Sequence, residues 1–427
     1  MVKVIRSFLP AQDLYLTGSP DITYWKAVWK RYSNFSIEAI EQVFNGSIRK
    51  GARVSCTISR NGDMVNQCWL EITCKQTGPT WYPAEALIKE VEFELGGQKI
   101  DRHYSDFFRV YSELFHSGEQ KEAYKRLTNF DWVSENKTGS TNTVTRKLYL
   151  PLNFFFNKEA ANALPLVSLQ FHEAKLHFTF ADNPADFNIA DAFEVKLYAD
   201  FVYLDVEERK RYATGSSELL IEQLQFTGDE ALQNSVRLNF NHPVKYLAWV
   251  IRPSAAKWHG LYNLSAPTDL HAQSAKTRAE RDADLYNDVF APLKSAKLML
   301  NGHERASERS GSYYSEVVPM QCCGTKPQAG VYMYSFAIRP RDTQPSGTCN
   351  FSRIDNASLY LTLKTVEGDA ANEASEVVDG ESKFAHDTGL VTSGLTSLLS
   401  SRVLKTFCVN YNVLRILSGM GGLAFSS

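Results

Sequence analysis

The chain has 427 residues, 44% of them hydrophobic and 22% charged, with a net charge of -2. That length exceeds one ordinary core and suits two domains of about 200 residues each, and the apolar share excludes a disordered chain. The charge balance excludes a protein whose main task is neutralising phosphates, and no run of 18 apolar residues is present to span a bilayer.

From the N-terminus, the first local feature is a scatter of basic residues: Lys3, Arg6, Lys26, Lys30 and Arg31. It lacks the dense run that nucleic-acid patches use and reads as a solvated or subunit-facing surface. Period-two alternation then predicts strands over Ser36–Phe44, Arg53–Arg60, Val91–Leu95, Ala174–Phe180 and Phe193–Leu204. The second half repeats the pattern over Val236–Phe240, Lys245–Ile251, Ala296–Leu300, Val331–Ile338 and Ala357–Leu363. Turn chemistry separates these runs: "RNGD" at Arg60–Asp63, "LGGQ" at Leu95–Gln98 and "LNGH" at Leu300–His303. Asn-Gly and Gly-Gly pairs supply the positive φ that tight hairpins demand. Helices are predicted at Ser105–Phe115, opened by a serine cap, and at Gly118–Phe130.

One phrase occurs twice. "VEFELGGQKIDRHYSDFF" (Val91–Phe108) and "AKLMLNGHERASERSGSYY" (Ala296–Tyr314) share an alternating strand, a glycine turn, a charged stretch and an aromatic pair. Gly97 and Gly302 differ by 302 − 97 = 205 positions, while Ala174 and Ala357 differ by 357 − 174 = 183. The order is kept and the first copy carries the surplus, near its helices and the polar loop Ser134–Thr143. Two copies of one all-β unit explain this. Each would hold about eight strands, and a sheet of that size hides its edges by closing into a barrel or by folding as a two-sheet jelly roll. Long polar loops at Ser254–Asp288 and Glu367–Thr392 would emerge together at one end.

No catalytic, cofactor or metal constellation assembles. "HEAKLH" (His172–His177) spaces its histidines five apart instead of four, and a strand there aims them at opposite faces. "SGMGGLA" (Ser418–Ala424) lacks a following helix to present phosphate-binding amides, and reads as glycine turns covering an edge. "DADLYND" (Asp282–Asp288) lacks the glycine and terminal glutamate of a calcium loop. The seven cysteines match no metal spacing and read as reduced, mostly buried thiols from a cytosolic folding compartment. In the polar corner Ser335–Leu363, Arg339, Arg341, Arg353 and Asp355 are candidate subunit contacts, an internally satisfied corner being the alternative.

"QPSGTCNFSRIDNASL" (Gln344–Leu359), "LGGQKIDRHYSDF" (Leu95–Phe107), "LNFNHPVKYLAW" (Leu238–Trp249) and "NYNVLRILSGMGGLAFSS" (Asn410–Ser427) closely resemble the major capsid proteins of nucleocytoplasmic large DNA viruses. The chlorella-virus branch is nearest and the iridoviruses more distant. The resemblance begins at Asp13 and covers almost the whole chain. It implies an N-terminal arm over 1–25 and two tandem eight-stranded jelly rolls, over 26–213 and 214–427, with short helical insertions. It further implies a non-enzymatic shell protein without cofactor or direct nucleic-acid contact, built into the virion and synthesised in the host cytoplasm. Three chains would form a homotrimer of pseudo-hexagonal outline that tiles an icosahedral capsid beside neighbouring capsomers and minor or cement proteins. The basic arm would face inward, towards an inner viral membrane. Glycans on outer loops are implied as well, with Asn263, Asn287 and Asn372 as candidates. The sequence departs from the family at His303–Ala306, and at Trp25 and Trp29 in place of Phe and Tyr. A diverged minor capsid paralogue therefore stays open as an alternative. So does a carbohydrate-binding β-sandwich, which would need exposed aromatics beside paired carboxylates.

Overall fold

The computed structural model describes residues 15–27, 29–76, 83–128, 144–184, 189–231, 233–253, 293–327, 330–363 and 402–425. The first half contributes β1 (Phe35–Gln42), β2 (Phe44–Asn45), β3 (Arg53–Thr57), β4 (Met64–Gln76) and β5 (Ile88–Leu95). It continues with β6 (Gln98–Tyr104), β7 (Val144–Pro151), β8 (Leu164–Pro165), β9 (Ala174–Phe180) and β10 (Ile189–Leu204). The second half contributes β11 (Ser217–Ala231), β12 (Ser235–Arg237), β13 (Pro243–Pro253), β14 (Leu293–Leu300) and β15 (His303–Ser310). Then follow β16 (Val331–Ser335), β17 (Cys349–Asn350), β18 (Ala357–Leu363), β19 (Arg402–Leu417) and β20 (Met420–Leu423).

These strands form four antiparallel sheets whose orders answer the doubled phrase. In the first half the orders are β1-β10-β4-β7 and β2-β3-β9-β5-β6; in the second they are β11-β19-β13-β16 and β12-β18-β14-β15. Apart from the short β2, β8, β17 and β20, each strand of one half has a counterpart at the same place in the other. Two four-stranded sheets face each other in each half, which is the jelly-roll arrangement. In the first, Leu70, Ile72 and Leu197 of one sheet meet Phe93, Leu176 and Phe178 of the other in a shared core. In the second, Leu247, Trp249 and Cys408 meet Leu298, Leu359 and Leu361. Each fully buried aliphatic or aromatic side chain contributes about 1.5–3 kcal/mol, so either interior can sustain its own sandwich.

The turns agree with the sequence reading. Gly96 and Gly97 have φ of 57° and 87°, and Asn301 and Gly302 have φ of 50° and 78°, so both hairpins turn through two left-handed residues. A helix follows each hairpin. In the first half it is α1 (Ser105–Phe115), then α2 (Gly118–Leu127). Before the second half, α3 (Val206–Thr214) bridges β10 and β11; after β15 a π turn, Tyr313–Val317, runs into α4 (Val318–Cys323). The serine cap expected for α1 is absent: Tyr104 is its N-cap, and the Ser105 hydroxyl donates to the Glu85 carbonyl at 2.9 Å. The cap appears instead on α2, where Ser117 and Gln120 bond each other's backbone as a capping box.

The two long predicted loops lie outside the described residues, as do Asn263, Asn287, Asn372 and Asp282–Asp288. Their anchors are described. Pro253 pairs with Arg402 and Leu293 with Leu363, so both loops leave the second sandwich from strand ends that sit together.

Candidate assembly site

The two sandwiches are joined by more than α3. Helix α1 carries apolar residues at helical spacing, and they do not all face the first core. Phe108 enters the first core, while Phe107, Val110, Leu114 and Phe115 lie on the outer face of the β11-β19-β13-β16 sheet. There they meet Tyr246, Ala248, Val250, Phe407 and Val409, with Phe107 5.8 Å from Phe407 and Phe115 5.1 Å from Tyr246 between ring centroids. That sheet is therefore covered on both sides.

Charged groups ring this apolar contact, and most of them are buried. The Glu222 carboxylate of β11 receives Lys245 of β13 and, at 2.7 Å, Lys158 of the first half. Lys158 also lies over the Tyr111 ring and Lys245 over the Tyr411 ring. Burial favours a neutral Glu222, yet the two ammonium groups outweigh it and hold the carboxyl below its ordinary range. Burial opposes the Lys158 charge too, but Glu222 prevails and raises its pKa. Nearby, Lys405 reaches Asp106 of α1 at 2.5 Å and Asp229 at 3.0 Å. Asp101 accepts the Leu224 backbone N–H and sits 2.9 Å from His103. The gap among Asp101, His103, Lys158 and Glu222 is too small for a water molecule. Ions largely removed from water and paired across two sandwiches favour one relative placement, because a shifted packing that kept them buried would leave charges unpaired.

Glu85, fully buried in a single helical turn, accepts a hydrogen bond from Tyr124 of α2. Burial pushes its carboxyl up to about 8, against the pull of Arg109. A carboxyl whose folded pKa is raised adds stability below its unfolded value and loses it as pH rises towards the folded value. The protein should therefore lose on the order of a few kcal/mol between about pH 4.5 and pH 8 from this group. Glu85→Gln should flatten that decline in denaturant melts taken across the range, and an unaltered slope would refute the assignment.

The C-terminal strand pair forms a second lock. Leu414 and Ile416 of β19 enter the first core, not the second. The β19–β20 hairpin turns through Ser418 and Gly419, and its far strand lies against the first sandwich. The Gly419 carbonyl accepts from Phe171 N–H at 3.0 Å, and His172 Nδ1 stands 2.9 Å from the Gly421 carbonyl. A Cβ at Gly421 would come within 2.6 Å of Leu95 and 2.9 Å of Leu169, so any side chain there must displace these buried leucines. The glycine-rich ending pairs with β19 and packs on the other sandwich at the β5–β6 turn and the segment before β9, not along an edge strand. His177, on β9, pairs with Glu94 at 2.9 Å, so the two histidines of "HEAKLH" are separate.

The predicted contact residues are spread over the corner. Arg339 is exposed, 4.0 Å from Asp342. Arg341 donates to Gln120 of α2 at 3.3 Å and so bridges the two sandwiches of its own chain. Arg353 and Asp355 are exposed, and among the described residues neither side chain makes an ion pair. The backbone around them is satisfied, with Asp355 N–H donating to Asn301 at 3.0 Å. Trp25 and Trp29 are 96% and 81% exposed, on a segment before β1 that also bears Lys26, Lys30 and Arg31. Sequence reasoning missed the buried charges: nothing local to Lys245, Glu222 or Lys405 marks them as buried, since their partners lie far along the chain. All seven cysteines are free and buried or half-buried, and among the described residues no cluster of potential metal ligands forms.

A double jelly roll whose two sandwiches are locked together through a buried, charge-paired seam defines a structural building block. Comparison with known proteins gives the family. The profile described as "Major capsid protein N-terminus" matches residues 23–205, and "Large eukaryotic DNA virus major capsid protein" matches 208–422. The chain is 44% identical to the major capsid protein of Paramecium bursaria Chlorella virus 1, over 98% of this chain and 97% of that one. It is 37% identical to that of Pyramimonas orientalis virus over the same shares. Among solved structures, a chain of the PBCV-1 virus capsid superimposes with a TM-score of 0.79 at 40% identity, covering 95% of this chain and all of that one. The Faustovirus major capsid protein shares the fold, with a TM-score of 0.64 at 13% identity. The chain belongs to the major capsid proteins of large eukaryotic DNA viruses, and is a structural component of the virion shell.

Proposed function

We propose that three copies of this chain associate into a pseudo-hexagonal capsomer, and that such capsomers tile an icosahedral shell. The observation that carries this reading is the matched strand order of the two sandwiches, which gives a trimer six similar lobes. The units are residues 26–213 and 214–427, with residues 1–25 as an arm. The chain works without catalysis or cofactor, since its task is met by complementary side walls. Arg339, Arg353 and Asp355 have exposed side chains suited to a neighbouring chain, whereas Arg341 acts within its own. The aromatic and basic segment around Trp25 and Trp29 faces inward, where interfacial tryptophan and lysine suit a membrane surface or a minor capsid protein. Folding takes place in the host cytoplasm, in keeping with seven free thiols. Asn263, Asn287 and Asn372 on the long outer loops are the glycan acceptors.

Light scattering on the purified chain should return a mass three times 48.2 kDa. A stable single-chain mass at micromolar concentration would overturn the trimer. Arg353→Ala should leave the melting temperature within the narrow range typical of surface changes and weaken association. An unchanged oligomer would remove that residue from the contact.

A further inference from the structure

The internal repeat locates a contact that one chain cannot make alone. The aromatic pairs Phe107-Phe108 and Tyr313-Tyr314 stand 314 − 108 = 206 positions apart. They occupy matching places: Phe108 enters the first core and Tyr314 the second. Carrying the same offset along the helices places Tyr313, Glu316, Val317, Met320 and Gln321 at the positions of Phe107, Val110, Tyr111, Leu114 and Phe115. Those five α1 residues rest on the outer sheet face of the second sandwich. Of their counterparts, Tyr313 packs at the margin of the buried clusters of its own chain, whereas Glu316 and Gln321 are exposed and Val317 is 41% and Met320 66% exposed.

The surface that would receive them is the outer face of the matching first-half sheet, β1-β10-β4-β7. Its inward residues Leu70, Ile72, Leu148, Leu150, Val195 and Leu197 fill the core. Its outward residues Trp69, Glu71, Tyr149 and Tyr198 are half-buried, and Lys147 and Lys196 are exposed. Trp69 stacks on Tyr198 with ring centroids 5.9 Å apart, giving a flat aromatic centre. The corresponding face in the second half, with Tyr246, Ala248, Phe407 and Val409, is buried under α1.

We infer that Val317 and Met320, on the helix following β15 of one chain, dock on the Trp69–Tyr198 face of a second copy. The contact repeats between chains what α1 does within one. It is heterologous, so three copies related by a threefold axis close the ring. Both partners have changed character together: the helix exchanges Val110 for Glu316 and Phe115 for Gln321, and the sheet face carries Glu71, Lys147 and Lys196. An interface formed between already folded chains is more polar than a core, whereas the intrachain version forms during folding and can be wholly apolar. This inference rests on the trimer reading and names its side wall.

The test uses the full chain. In an assembled mixture of ¹⁵N-labelled and unlabelled protein, Met320→benzoylphenylalanine should crosslink between chains to peptides within residues 64–76, 144–151 or 193–204. Crosslinks confined to the same chain, or to another surface of the second copy, would overturn the inference. Val317→Asp with Met320→Asp should raise the half-dissociation concentration of the trimer at least about tenfold while leaving the melting temperature of the isolated chain unchanged. A trimer of unaltered strength in that variant sinks this contact and leaves the trimer standing. A wild-type protein of single-chain mass removes both. Should the double variant fail to fold, the crosslink, made in otherwise native protein, decides.

Discussion

Glu222→Gln should destabilise the protein by about 3–5 kcal/mol, because it strands two ammonium groups inside the molecule. Lys158 and Lys245 both point at this carboxylate, and the Lys245 side chain is fully buried. With a neutral amide between them, their mutual repulsion and their lost hydration are no longer offset. The penalty should appear in denaturant melts as an earlier loss of the contact between sandwiches, since the group lies at that seam. A pH signature accompanies it. The Glu222 carboxyl is held below its ordinary range, so its contribution is complete above the unfolded pKa and vanishes as pH falls through the lower folded value. Wild-type protein should therefore show an acid limb that Glu222→Gln lacks. Replacing all three charged residues by apolar ones of similar size should cost far less than the single change, because no charge is then left unpaired. If Glu222→Gln melts at the wild-type midpoint, the buried ion cluster is not holding the two sandwiches together.

Deleting residues 418–427 should open the first sandwich while sparing the second. The deleted hairpin covers Leu95 and Leu169, and it bonds Phe171, His172 and Gln98 through backbone groups. Loss of that cover and of the ordering of Leu414 and Ile416 should cost roughly 3–6 kcal/mol, counting partial exposure of several aliphatic side chains and a cavity. Hydrogen exchange should accelerate in β5, β6 and β9 and stay slow in β14 and β18. Gly421→Val gives a milder version of the same result, about 1–3 kcal/mol, since its side chain collides with Leu95 and Leu169. Unchanged protection in β5 and β9 after the deletion would show that the C-terminal hairpin is ornamental.

These two locks join two cores, each with its own interior, into one block. Each sandwich contributes a piece to the other: α1 goes forward onto the second sheet, and β20 with the end of β19 comes back onto the first. A shell protein gains from holding its two sandwiches in fixed relation, and reciprocal exchange of elements supplies that stiffness without a disulfide.

Alternation exposed the strands wherever one face meets water, as in β9 (AKLHFTF) and β18 (ASLYLTL), because a half-buried sheet writes its two environments on alternate residues. The glycine turns and the doubled phrase were legible for a similar local reason: a left-handed turn admits few residues, and a repeated fold repeats them. The long motifs added the family. Other features left no such mark. β19 is buried along most of its length, since the core lies on one side and α1 on the other, and its text RVLKTFCVNYNVLRIL shows no clean alternation. In β13, Lys245 reads as the polar residue that opens the strand, and the partner that makes its burial tolerable comes from a different strand, β11. The contacts of α1 and of the C-terminal glycines join residues about 300 positions apart, such as Asp106 with Lys405. Pattern along a chain thus set the elements and their repetition, because these depend on near neighbours. Which faces were buried twice, and which charges were paired in the dry, was decided only when the two sandwiches met.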